Sequence, residues 1–195
     1  SQSKYITNKK SREIAHLLRY KNHGILVSSR TVNQDNPILN CRIDGLEKYS
    51  PIRIILDKNL KIKKNSMLLK TSKNYQTYIF YNKINKKLTF FKSKGIKLIL
   101  SPVDDNGNID IKFVLKEIKK RKIHYLLVEG GKMLTNYFLD KRFFREFYLF
   151  KSNSNLIARK NSICISETIR KLSVLFNSKK KLKINLDGDK ITKYV

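Results

Sequence analysis

Residues 124–128 read HYLLV, a nearly continuous apolar run of strand length. A strand with one wet face alternates apolar and polar residues, whereas a continuous run needs cover on both faces, as a central strand of a helix-flanked parallel sheet has. The rest of the chain supplies helices for that cover. Ile14, Leu17 and Leu18 share one face and predict a helix over 11–20, with Thr7 as its N-cap and Gly24 as its stop. A strand over 25–28 follows, then a proline-initiated strand over 52–56 (IRIIL) and short strands over 78–81, 88–91 and 97–100. The turn-rich segment SPVDDNGNID ends at Asp110, which caps a helix running through Phe113, Leu115 and Ile118 to Lys120. A third helix covers 133–139, and strands over 147–150, 181–185 and 191–195 close the chain. This alternation predicts an α/β fold. No repeat or long linker divides the 195 residues, so a single domain, 1–195, is expected.

Charge raises a competing reading. The chain has 43 basic and 15 acidic side chains, a net charge of +28, which suggests a basic nucleic-acid-binding protein. That class concentrates its Lys and Arg on one element among exposed aromatics. Here they occur in every segment beside abundant Asn and Ile, as an AT-rich coding sequence produces whatever the function. Nucleic acid is therefore the minority expectation. No stretch of 18 apolar residues predicts a membrane span, and no apolar run near Ser1 resembles a signal peptide. Cys41 and Cys164 are too few for a disulfide scaffold or a metal knuckle, which makes a reducing cytoplasm the expected compartment. His16, His23 and His124 have no metal-ligand spacing with either cysteine, so no metal is expected. They read as surface or strand-start histidines. The pairs Phe90-Phe91 and Phe143-Phe144 read as core, and KKKLKI from Lys179 as a solvated strand entry.

Two junctions carry candidate chemistry. In ILVSSRTVNQDNPILNCR (25–42) an apolar strand gives way to a polar loop, and loops past strand ends are where open α/β sheets hold ligands. The only adjacent pair among 7 glycines, Gly130 and Gly131, lies between the HYLLV strand and the helix KMLTNYFLD. Glycine there permits a sharp turn and removes Cβ atoms that would block a ligand from the helix N-terminus. Glu129, just before the pair, is a carboxylate at a strand end that either reaches solvent or binds something polar.

SKYIT (3–7), the HLLR ending in Arg19, the loop above, PIRIILD (51–57) and LLVEGGKMLTNYFLD (126–140) together resemble the reductase domain of the bifunctional riboflavin-biosynthesis deaminase/reductase family, over residues 3 to about 157. The resemblance implies a fold similar to dihydrofolate reductase: a mostly parallel central sheet with flanking helices. It implies NADPH-dependent reduction of 5-amino-6-(5-phosphoribosylamino)uracil, a phosphorylated pyrimidine, whose ribosyl group becomes a ribityl chain. Ser3, Arg19, Leu39, Arg42 and Glu129 match substrate-contacting positions. Tyr5, Thr31, Asp35, Gly131, Lys132, Met133, Leu134, Thr135, Asn136 and Tyr137 match cofactor-contacting ones. Arginine suits the substrate phosphate because its planar donors bind bidentately without losing charge. Opening the sugar ring needs a proton at the ring oxygen; Glu129 and Asp35 are the candidate catalytic acids, and Glu129 is favoured as the group that orients the sugar.

Departures from the pattern add expectations. Relatives begin with a strand and an SLDG-type loop before the SKWIT-like segment, so the first strand is expected to be missing and the domain truncated at its N-terminus. Lys58 stands where some relatives carry a small hydroxyl; it would pair with a cofactor 2′-phosphate or point to water. The His-x-Glu and Cys-x-x-Cys signals of a zinc deaminase are absent from these residues, which implies a separate deaminase. Relatives commonly dimerise, and a homodimer is expected. A reductase of the same fold acting on another pterin- or pyrimidine-like substrate is the third reading.

Overall fold

The computed structural model describes residues 7–153 and 166–195; Ser3 and Tyr5 lie outside them. The chain forms two compact units, one of residues 16–131 and one of residues 1–15 with 132–195. α1 (Lys9–Tyr20) starts in the second and ends in the first.

The unit of residues 16–131 is built on five parallel strands. β1 (Gly24–Ser28) leads into α2 (Ser29–Asp35), and β2 (Ile52–Leu56) is followed by the single-turn α3 (Met67–Lys70). Then come β3 (Thr77–Tyr81), α4 (Leu88–Ser93), β4 (Lys97–Leu100), α5 (Ile111–Lys120) and β5 (Leu126–Val128), giving the order β4-β3-β2-β1-β5. This is the expected α/β architecture with a parallel sheet and helices. Asp110 caps α5 as predicted, its Oδ1 accepting from the Lys112 and Phe113 N–H groups. Ile25, Val27, Val32, Ile55, Leu68, Ile79 and Phe91 form the core on one side of the sheet.

Several expectations are corrected. β3 is buried throughout and β1 at all but its last residue; β5 is shorter than predicted, half-buried and, within this unit, an edge strand paired only with β1. Residues 88–91 are helical, because Leu88 and Phe91 meet the core from one face at a spacing of three, which a four-residue apolar run cannot distinguish from a strand. The segment after β1 is a two-turn helix: Ser28 Oγ caps it by accepting from the Thr31 N–H, and Asn36 ends it in the left-handed region at φ 47°. Gly24 does not stop α1. The Asn22 side chain caps that helix by donating to the Leu18 carbonyl (2.7 Å), while Gly24 opens β1, where an added Cβ would stand 2.9 Å from both Ile123 Cγ2 and Ile54 Cδ1.

Arg53 in β2 is fully buried with no carboxylate partner among the described residues. Its guanidinium donates to Thr77 Oγ1 (2.9 Å), Thr71 Oγ1 (2.8 Å) and the carbonyls of Ile38 (3.0 Å), Leu68 (3.1 Å) and Tyr75 (3.0 Å). Burial lowers its pKa to about 10, so it remains a cation at neutral pH. It ties the loop after α2 to the sheet.

The other unit contains α6 (Lys132–Asp140), β6 (Phe147–Lys151), α7 (Ser166–Leu175), β7 (Lys179–Lys181) and β8 (Lys190–Tyr194). Its sheet is antiparallel, ordered β6-β8-β7. β7 starts and ends earlier than the predicted strand, an all-lysine edge strand whose charge discourages further pairing. α7 was not predicted; Thr168 and Leu172 bury at a spacing of four. Leu139, Leu172 and Tyr194 form the core, with Phe144 and Phe147 packed against them. Asn8, not Thr7, caps α1, its Oδ1 accepting from the Ser11 N–H (2.9 Å). Asp189 gathers three chain segments by accepting from the Asn8 N–H (2.9 Å), the Ser11 hydroxyl (2.8 Å) and the Asn153 N–H (3.1 Å). The Asn8 N–H, then the Ser11 hydroxyl, hold its carboxyl below the usual carboxylate range.

Candidate functional site

Adjacent parallel strands put their carboxyl ends together, and here those ends carry the two junctions singled out in the sequence. The Glu129 N–H donates to the Leu26 carbonyl (3.0 Å), which fixes the carboxylate just past β5 beside β1. Arg19, in the last turn of α1, reaches it as a fork: Nε donates to Oε1 and Nη2 to Oε2, both at 2.7 Å. The two side chains are only 14% and 30% exposed. Parallel N–H bonds of this kind fix orientation as well as charge. The third arm of Arg19, Nη1, donates to the Asn40 carbonyl (3.0 Å).

That carbonyl is presented by an unusual backbone. Leu39 takes φ 63°, buries its side chain in the core and is followed by Asn40, whose Nδ2 donates to the Tyr75 hydroxyl (3.0 Å). His16, one turn before Arg19 on α1, uses the same carbonyl through Nδ1 (3.2 Å). Its Nε2 lies 3.2 Å from Arg42 Nε. Burial, then the charges of Arg19 and Arg42, lower the His16 pKa to about 4, so the ring is neutral at physiological pH. Arg42 is exposed, and its Nη1 and Nη2 make no hydrogen bond or ion pair among the described residues. The site thus has one arginine consumed by the protein and one with its end free.

The remaining candidates are placed as follows. Thr31 sits in the first turn of α2, where its hydroxyl is 3.2 Å from Ser28 Oγ. Asp35 is exposed at the end of α2 and makes no side-chain hydrogen bond or ion pair among the described residues; the turn beyond it is made by Asn36, whose Oδ1 accepts from the Met67 N–H (2.7 Å). Gly131 does not use left-handed backbone, and a Cβ added to it would meet nothing within 4 Å. Residues 132–137 form the first turns of α6, in the other unit. There Lys132 pairs with Glu167 (3.2 Å), Asn136 accepts from the Thr168 hydroxyl (2.9 Å) and Met133 is 74% exposed, while Thr135 and Tyr137 have partners. Leu134 is half-buried. The Lys58 ammonium donates to the Gly107 carbonyl.

The sequence reading passed over His16 and Asn40. The signal for His16 was its spacing of three from Arg19 in HLLR, which puts both on one helix face. Nothing local marks Asn40, because its part depends on the left-handed Leu39 before it.

No helix among the described residues is long and apolar enough to cross a membrane. The chain is 35% identical over 148 residues to the riboflavin biosynthesis protein RibD of Aquifex aeolicus, covering 76% of this chain and 40% of that protein. It is 26% identical over 174 residues to the 5-amino-6-(5-phosphoribosylamino)uracil reductase of Buchnera aphidicola, covering 84% and 81%. Among solved structures, Acinetobacter baumannii RibD superposes with a TM-score of 0.73 at 17% identity, covering all of this chain and 52% of that one, which shows a shared fold. The chain thus spans less than half the length of the RibD relative and most of the Buchnera one. The family model described as the RibD C-terminal domain matches residues 1–182, and the chain belongs to that family.

Proposed function

We propose that this chain reduces 5-amino-6-(5-phosphoribosylamino)uracil to 5-amino-6-(5-phosphoribitylamino)uracil in riboflavin biosynthesis, with NADPH as the electron donor. The observation that carries the proposal is the free guanidinium end of Arg42 beside the pair of Arg19 with Glu129, at the carboxyl ends of β1 and β5. A ribosylamine phosphate needs a cation for its dianion and acceptors for its hydroxyls, and this arrangement offers both.

Arg42 binds the phosphate. Arg19 aims Glu129, whose remaining lone pairs accept from the sugar hydroxyls. Glu129 and Asp35, the latter without a side-chain hydrogen bond or ion pair among the described residues, are the candidate proton donors for ring opening. Thr31, Asp35 and Gly131 are assigned to the cofactor, together with residues 132–137 that follow in sequence. The open space at Gly131 fits a close backbone approach by a bulky phosphate-bearing group. When bound, NADPH would supply the hydride that reduces the ribosyl C1 of the ring-opened imine, with a proton added at its nitrogen. A deaminase acts upstream, and two copies of the chain associate; sedimentation reads the second point.

The test is NADPH oxidation that depends on the substrate, with the ribityl product found by mass. Arg42→Ala is expected to raise the substrate KM roughly 10- to 100-fold and to leave the NADPH KM alone. An effect on NADPH only would reverse the assignment. NADH serving as well as NADPH would remove the 2′-phosphate preference. Oligonucleotide binding with a steep salt dependence and no turnover would transfer the chain to the nucleic-acid reading.

A further inference from the structure

We infer that His16 is a positioning residue that aims Arg42 at the substrate phosphate. This rests on the reading of Arg42 given above, but its geometry stands separately. A backbone carbonyl only accepts, so the 3.2 Å contact with the Asn40 carbonyl makes His16 Nδ1 the donor. Arg42 Nε only donates, so the 3.2 Å contact there makes His16 Nε2 the acceptor. The two partners fix one neutral tautomer, with the proton on Nδ1 and the lone pair on Nε2. The residue is 8% exposed, and its backbone carbonyl accepts from the Cys41 Sγ (3.6 Å), which ties α1 to the residue before Arg42.

The consequence is directional. Holding Nε leaves the Nη1 and Nη2 edge of the exposed Arg42, which has two parallel N–H groups and no partner among the described residues, as the bidentate face for an anion. The same Asn40 carbonyl also receives Arg19 Nη1, so one backbone atom registers both arginines against each other. The contact restricts a long exposed side chain that would otherwise sample many rotamers, which lowers the entropic cost of gripping a phosphate.

Two substitutions separate the ring's halves. His16→Asn places an amide N–H near Nδ1 and removes the acceptor to Arg42; His16→Gln places an acceptor near Nε2. His16→Asn is expected to raise the substrate KM roughly 3- to 10-fold, the worth of one orienting hydrogen bond, with kcat and the NADPH KM unchanged, and His16→Gln to restore most of the loss. Binding of ribose 5-phosphate, read by calorimetry, should weaken by the same factor in His16→Asn and not at all once Arg42 is already alanine. This arm works even if the protein reduces a different phosphorylated substrate. If the wild type binds ribose 5-phosphate but turns over no uracil substrate, the proposed function fails while the positioning role stands. Equal ribose 5-phosphate affinity in wild type and His16→Asn overturns the positioning role. Should His16→Asn fail to fold, nitrogen-15 NMR of the wild-type imidazole decides: protonated Nδ1 with bare Nε2 from about pH 6 to about pH 8 supports the inference, and the opposite tautomer or an imidazolium overturns it.

Discussion

Arg19 and Glu129, 110 residues apart in sequence, are joined by two parallel N–H···O bonds of 2.7 Å. The pair is mostly covered, so each partner depends on the other for hydrogen bonding. Glu129→Gln keeps one acceptor and turns the other position into a donor facing a donor. It is expected to cost about 1–3 kcal/mol in urea denaturation. With Arg19→Met the two costs should fall short of additivity by about 0.5–3 kcal/mol. Strict additivity would mean that the pair does not form in solution. On the same preparation, kcat should fall roughly 100-fold if the carboxylate handles the sugar, and stay level if it serves only Arg19.

Removing Arg53 strips a donor from the hydroxyls of Thr71 and Thr77 and from the carbonyls of Ile38, Leu68, Thr71 and Tyr75. Arg53→Met leaves the carbonyls of Ile38, Leu68 and Tyr75 without that partner in a dry region, at about 1–3 kcal/mol each. A total loss of about 3–5 kcal/mol is expected. Arg53→Lys should recover little, because an ammonium has three donors and no fork. A loss under about 1 kcal/mol in either variant contradicts this account.

The glycines give a paired test. Gly24→Ala pushes a Cβ against Ile123 and Ile54, at a cost of about 1–3 kcal/mol in thermal or urea unfolding. Gly131→Ala meets open space on an ordinary backbone and should leave the melting temperature unchanged. Its effect is expected in cofactor affinity instead. A normal NADPH Kd in Gly131→Ala would detach that residue from the cofactor.

Asp189 makes the unit it staples sensitive to acid. Its pKa is lower folded than unfolded, so its contribution is fully present above the unfolded value, near 4, and is lost as pH falls through the folded value. Asp189→Asn should therefore melt lower than wild type at neutral pH, and the gap should close as the pH is taken below about 4. A gap of constant size across that range would assign the residue's role to something other than its charge.

What the sequence disclosed followed the range of the interactions. β2 and β4 lie where their apolar runs put them, and Asp110 caps α5 because both signals are complete within a few residues. α2 looks like loop in the sequence since six of its seven residues are polar, only Val32 is buried and its cap depends on Ser28. β5 looked central because apolar content records how much burial a strand can accept, not which neighbours it receives. The same holds in the candidate site. Arg19, Arg42 and Glu129 were visible as charged groups at element ends, but that one arginine is spent on the glutamate while the other is left open depends on contacts between residues far apart in the chain. His16 was dismissed as a surface residue, and its burial between a carbonyl and a guanidinium reversed that.

β1, β2 and β3 each pair with the strand that follows them, whereas β5 returns across about a hundred residues to lie against β1. Closing so long a loop is the slow, entropically expensive step, and it comes after the local crossovers are made. The carboxylate therefore meets its arginine late on the folding route. Substitutions at Glu129 should speed unfolding and leave the refolding rate nearly untouched, so the chemistry-bearing end of this sheet is the last part to assemble and the first to come undone.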